Sequence, residues 1–194
     1  MKAVFSHLLV GLLWLLHWLP LSALRGLGWV VGRLLYVLGR ERRKVALINL
    51  RLCFPEKTEH EREVIARRHF VSFSQAVLDR TLGWWASQER LERLIRITGS
   101  EHLSDPDGKP LILLSPHFVG LDAGASRISM LVSGCSVYSN QKNPVFNKLL
   151  YDGRRRFCDA LLLSRQDGMR KIIKAMKDGY VLYYLPDMDF GPKD

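Results

Sequence analysis

From Ala3 to Leu24 the chain carries no charge, and leucine, valine, tryptophan and phenylalanine fill most positions. About 20 apolar residues span a bilayer as a helix, so the stretch has the length, although His7, His17 and Pro20 interrupt it. A second apolar run, Leu27 to Leu38, is broken only by Gly28, Gly32 and Arg33, and the block Arg40-Glu41-Arg42-Arg43-Lys44 follows at once. Pro55 closes this region. Thr58-Glu59-His60-Glu61 is a capping-box pattern that opens a helix. Ala66, Phe70, Phe73 and Val77 share one face of it and are expected to be core or membrane-proximal packing. A short helix is predicted from Gln88 to Ile95.

Beyond Ile97 the period changes. Apolar or β-rich runs alternate with helical ones: Leu111–Ser115 then Leu121–Leu131, Ser136–Tyr138 then Pro144–Phe157, Leu161–Leu163 then Asp167–Lys177, and finally Tyr180–Leu185. Gly108-Lys109-Pro110 and Asp178-Gly179 supply breaks. Strands that are apolar throughout and alternate with helices imply an α/β fold with a mainly parallel central sheet flanked by helices. Ligands in such sheets bind at the carboxyl ends of strands. Two segments are expected: 1–55, an apolar and basic membrane-anchoring segment, and 56–194, the α/β domain.

Charge adds a partner to this picture. The 194 residues hold 29 Lys and Arg against 19 Asp and Glu, a net +10. Residues 1–55 carry eight of the bases against Glu41 alone. A nucleic-acid binder spreads its bases over a polar face, whereas these flank the most apolar stretch of the chain. They point to an anionic membrane and away from nucleic acid. Bases beside an apolar helix favour the cytoplasmic side, so the bulk of the chain is expected to face the cytosol. Whether the first helix spans the bilayer or lies in its interface stays open. Cys53, Cys135 and Cys158 form no Cys-x-x-Cys or Cys/His zinc spacing and are read as reduced thiols, with no metal site and no disulfide framework.

The chemistry gathers at strand ends. The run Leu111–Leu114 leads into Ser115-Pro116-His117-Phe118-Val119-Gly120-Leu121-Asp122. Residues five apart on a helix point about 140° from each other, so His117 meets Asp122 only if the first lies in the loop and the second in the opening turn of the helix. A carboxylate on one ring nitrogen makes the other a general base. No Gly-x-Ser-x-Gly elbow, Walker loop or dinucleotide fingerprint is present, so such a base would act on a substrate hydroxyl with no covalent enzyme intermediate. Gly153-Arg154-Arg155-Arg156 suits phosphate or carboxylate, or forms a solvated helix face. Asp187-Met188-Asp189 can ligate a divalent metal, hold an arginine or cap a turn. The metal option gives an alternative reading, a membrane-attached glycosyltransferase using Asp187 and Asp189.

Taken in order, His117-x4-Asp122, Asn143-Pro144, Gly153-Arg154 and Asp187-Met188-Asp189-Phe190-Gly191-Pro192 resemble successive blocks of the late acyltransferases of lipid A biosynthesis, in the lysophospholipid acyltransferase superfamily. Asn49-Leu50-x-Leu52-Cys53-Phe54-Pro55 is similar too, and the likeness covers the whole chain. The resemblance implies a glycerolipid acyltransferase-like fold and transfer of a fatty acyl chain from acyl carrier protein to a hydroxyl of a lipid A precursor. It implies His117 as general base, Asp122 as its orienting partner, and Arg154, Asp187 and Asp189 as substrate-binding residues. No metal or other cofactor is implied, and the expected place is the bacterial inner membrane, catalytic domain inward. Members of this family run on past the acidic block. The chain is therefore read as truncated at its carboxyl end, with an unpaired sheet edge, and an inactive membrane-binding fragment is the further alternative.

Overall fold

The computed structural model describes residues 2–187. Among the described residues eight α-helices and four strands follow one another: α1 (Lys2–Leu16), α2 (Leu21–Leu38), α3 (Arg40–Cys53), α4 (Glu59–Trp85), α5 (Gln88–Leu94), β1 (Ile112–Leu114), α6 (Leu121–Ile128), β2 (Gly134–Tyr138), α7 (Pro144–Arg154), β3 (Leu161–Ser164), α8 (Gly168–Lys177) and β4 (Val181–Tyr184). They fall into two compact units, one of Leu12–Leu82 and one of Met1–Gly11 with Gly83–Asp194.

The first unit is helical. Thr58 and Glu61 form the expected capping box: Glu61 accepts from the Thr58 N–H at 2.7 Å, and Thr58 Oγ1 accepts from the Glu61 N–H at 3.3 Å. The buried line on α4 runs Arg62, Ala66, Ser74, Leu78 and Leu82, a stripe of four-residue steps. Phe73 and Val77 sit one position, about 100°, off that line and are exposed. Of the two expectations for this stripe, core packing holds for Ala66 and not for Phe73 and Val77. The reason lies on α2. Its buried positions are Leu24, Gly28, Gly32 and Tyr36, and a Cβ on Gly32 would stand 2.5 Å from Val71 Cα. One on Gly28 would stand 2.8 Å from Gln75 Cα. The two backbones thus approach closely at these glycines, and at the end of the stripe the Tyr36 ring meets Phe70 of α4 edge-on at 5.5 Å. Arg25 ties the pair with a 3.0 Å ion pair to Asp79, whose carboxyl is pushed above its usual range chiefly by burial. Buried Arg62 donates to the carbonyls of Phe54 and Pro55 at 2.8–3.1 Å, satisfying chain ends that would otherwise be orphaned where α3 stops.

Outward, α2 shows Trp29, Val30, Leu34, Leu35, Val37 and Leu38. It is long and apolar enough to cross a membrane by length and composition.

The second unit holds the sheet, all parallel, in the order β1-β4-β2-β3. Cys135, Leu182 and Ala175 form its buried centre, with Leu161, Ile172 and Met176 of β3 and α8 packed against them. Tyr138, three residues after Cys135, points to the other face, where its ring meets Tyr151 of α7. The helix-flanked parallel sheet expected from the alternation is what forms. Asn143 caps α7 by accepting from the Val145 and Phe146 N–H groups, with Pro144 at the first helical position.

The close approach at Gly28 and Gly32 is testable. Gly32→Ala should destabilise the protein by about 1–3 kcal/mol through overpacking. Gly26→Ala, where a Cβ meets nothing within 4 Å, should be neutral or stabilising by up to about 1 kcal/mol. Thermal unfolding followed by circular dichroism in detergent separates the two.

Candidate active site

Strands β1 and β4 lie side by side, Leu114 opposite Tyr184. One more rung follows, the Ser115 N–H donating to the Tyr184 carbonyl at 2.8 Å. Pro116 and Pro186 then stand at the same level of the two strands, and Pro186 has no N–H to donate to the next carbonyl of β1. Immediately beyond them His117 and Asp187 meet. The His117 backbone N–H donates to Asp187 Oδ2 at 2.6 Å, and His117 Nδ1 lies 2.8 Å from Oδ1. The side chains are 39% and 36% exposed, so the pair is open to a ligand. These contacts, the ring contact first, hold the Asp187 carboxyl below the usual range. His117 Nε2 makes no hydrogen bond among the described residues. Phe118 and Val119, the next residues of the loop, are exposed apolar groups beside the imidazole.

Asp122 lies in the first turn of α6, as the spacing requires if it is to approach the loop. Its charge, after the larger effect of burial, raises the pKa of the Tyr183 hydroxyl, which a hydrogen bond with Ser115 lowers. Asp122, Tyr183 and Ser115 therefore gather at the end of β1 and β4. The carboxylate set on His117 Nδ1 is that of Asp187, a residue the sequence reading assigned to substrate.

Arg154 ends α7 with its guanidinium carbon 5.2 Å from the Tyr138 ring centre, and the Tyr138 hydroxyl donates to Asn147 Oδ1. The glycine before it has a packing reason: a Cβ on Gly153 would collide with the indole of Trp84. Arg156 donates to the carbonyls of Gly83 and Ala86, capping the end of α4, and burial lowers its pKa. Asn143 belongs to the capping of α7 and also donates to Ser6 Oγ at 2.8 Å. Asp189 lies outside the described residues. Among the described residues no group of three or more His, Cys, Asp or Glu side chains is placed to hold a metal ion.

A parallel α/β sheet with an imidazole just past a strand end defines the class of site. The chain belongs to the bacterial lipid A biosynthesis acyltransferase family, whose model matches residues 1–194. It is 33% identical over 186 residues to the lipid A biosynthesis lauroyltransferase of Escherichia coli (strain K12), covering 95% of this chain and 60% of that protein. Similarity to a lipid A biosynthesis acyltransferase of Haemophilus influenzae is 33% over 180 residues, 91% of this chain and 57% of that protein. The lipid A biosynthesis palmitoleoyltransferase of Escherichia coli (strain K12) is 26% identical over 186 residues, with 95% and 60% covered. The chain thus spans about 60% of the length of the curated relatives it matches.

The depressed Asp187 carboxyl has a pH consequence. A carboxylate whose folded pKa is lowered stabilises the structure above its unfolded pKa, and that contribution is lost as pH falls through the folded value. The side-chain carboxyl carbon signal of Asp187 should therefore titrate below about 3.9, the ordinary Asp value. Titration at or above that value by carbon NMR would mean the contact with His117 is not made.

Proposed function

We propose that the protein transfers a fatty acyl chain from acyl carrier protein to a hydroxyl of a lipid A precursor, with His117 as general base. The family membership supports the reaction class. The observation that carries the residue assignment is the open imidazole at the carboxyl end of β1, held at Nδ1 with Nε2 uncommitted. In the reaction Nε2 takes the proton of the acceptor hydroxyl as its oxygen attacks the thioester carbonyl. The carbon–sulfur bond then breaks, the carrier thiolate leaves, and the imidazolium returns the proton to it. The products are an ester and a free carrier thiol, with no acyl-enzyme.

In this reading Asp122, in the first turn of α6, is the orienting partner of the base that the family resemblance implies. Arg154 meets a phosphate of the acceptor, a role suited to a planar guanidinium, and Asp189 is assigned to the same substrate. The exposed apolar faces of α1 and α2 and the bases Arg40, Arg42, Arg43 and Lys44 fit an anionic lipid surface. The basic flank favours the cytoplasmic side of the bacterial inner membrane, where an acidic carrier docks on exposed Arg and Lys by charge complementarity.

The test is acyl transfer from acyl-acyl carrier protein to a lipid A precursor, read by mass spectrometry, using the protein as encoded. His117→Ala should lower turnover by about a hundredfold or more. Unchanged turnover in the folded variant would refute the assignment.

A further inference from the structure

We infer that Tyr138 is the positioning residue of Arg154, its ring face holding the guanidinium while the N–H groups stay free for an anionic group of the acceptor. The inference rests on Arg154 meeting a phosphate of that acceptor and adds the side chain that holds it there.

Three arginines follow one another at the end of α7, and the structure uses them differently. Arg155 forms a 2.9 Å ion pair with Asp159 and lies over the Tyr151 ring. Arg156 donates to the carbonyls of Gly83 and Ala86. Arg154 is exposed and makes no hydrogen bond or ion pair among the described residues. Its one resolved support is the Tyr138 ring, with the guanidinium carbon 5.2 Å from the ring centre. A cation over a ring face is attracted by the negative face of the π system. A planar guanidinium stacked on such a face keeps its fork of donors for bidentate contact with phosphate. A carboxylate in the same place would compete with the phosphate for those donors; a ring does not.

Tyr138 is pinned for this task. It is 8% exposed, its ring meets Tyr151 edge-on at 6.1 Å, and its hydroxyl donates to Asn147 Oδ1. The same oxygen accepts from the Gln141 N–H at 2.8 Å, so one carboxamide ties the end of β2, the turn after it and α7. Asn147, Tyr151 and Arg154 follow at spacings of four and three and share one face of α7. That helix face therefore holds the ring and supplies the cation that rests on it, so the cost of ordering a long side chain is met before the acceptor arrives.

The sheet places the pair on the side of the base. Cys135 pairs with Leu182, so alternation turns Tyr138 and Tyr183 alike away from the buried Cys135–Leu182 centre. Asp122 acts on Tyr183 from that side. Counted on from the pairs Cys135–Leu182 and Leu114–Tyr184, Tyr138 and Ser115 both fall level with Leu185. They are two strands, roughly 10 Å, apart. That span suits one molecule with a hydroxyl at His117 and an anionic group to one side of it.

The test uses the whole chain in detergent. The Arg154 Nε–H signal, assigned by its loss in Arg154→Gln, should be displaced from the free-arginine position by the ring current of Tyr138. It should move back in Tyr138→Leu and stay displaced in Tyr138→Phe. In acyl transfer to a phosphate-bearing lipid A precursor, Tyr138→Leu should raise KM for the acceptor about tenfold, as loss of a cation–π contact allows. In the same variant kcat should change by less than about threefold. Tyr138→Phe keeps the ring face and should restore KM to within about threefold of wild type. In an Arg154→Gln background Tyr138→Leu should add less than about twofold, because the ring acts only through the guanidinium. A wild-type Arg154 signal at the free-arginine position, or a Tyr138→Leu effect on KM undiminished by Arg154→Gln, overturns the inference. The wild-type signal alone decides it if Tyr138→Leu does not fold. A displaced Arg154 signal in a protein whose KM is indifferent to Arg154→Gln would uphold the contact and retire the phosphate role of Arg154.

Discussion

The site depends on one pairing, the parallel ladder between β1 and β4. These strands are 70 residues apart in sequence, and nothing local joins them. Their register brings Pro116 level with Pro186 and therefore His117 level with Asp187. A slip of one residue would turn every side chain of the strand to the opposite face and separate the imidazole from its carboxylate. The register is set by the apolar pattern beneath: Leu182 and Cys135 are buried with Ala175 of α8, so burying the core also aligns the chemistry at its rim.

The helical unit uses a different constraint. On α2 two of the four buried positions are glycines, Gly28 and Gly32, which lets the α2 and α4 backbones approach closely between Leu24 and Tyr36. Large apolar side chains remain on the outer face of α2. In an aqueous surrounding such a face is costly; against lipid it is an asset. The same segment therefore buries its glycines together with Leu24 and Tyr36 and presents most of its large apolar side chains.

Much of this was legible in the sequence, and the limits have physical causes. Alternation of apolar runs with helical periods gave the parallel sheet, and Thr58-Glu61 gave the start of α4, because both signals are local. The stripe Ala66–Phe70–Phe73–Val77 left core and membrane-proximal packing open, since apolar spacing on a helix does not say which of its residues face a protein neighbour; Ala66 does, and Phe73 and Val77 are exposed. His117 stood out by its place after an apolar strand. The contact of Asp187 with it did not, because spacing reasoning looks for partners nearby and found Asp122 five residues on. The available signal was the repeated strand-x-Pro pattern, Leu114-Ser115-Pro116-His117 and Tyr184-Leu185-Pro186-Asp187, which becomes informative only once the two strands are known to be neighbours. Gly153 and Asn143, read as parts of a family pattern, have local duties: one clears the Trp84 indole and the other caps α7.

The central claim is that the exposed nitrogen of His117 meets the acceptor. Carbethoxylation by diethyl pyrocarbonate, mapped by mass spectrometry with and without a lipid A precursor, tests it most directly. The expected result is modification of His117 in the free protein and its suppression by the precursor, while exposed His102 reacts equally in both. A His117 that stays unmodified, or one modified to the same extent whether or not the precursor is bound, would contradict it.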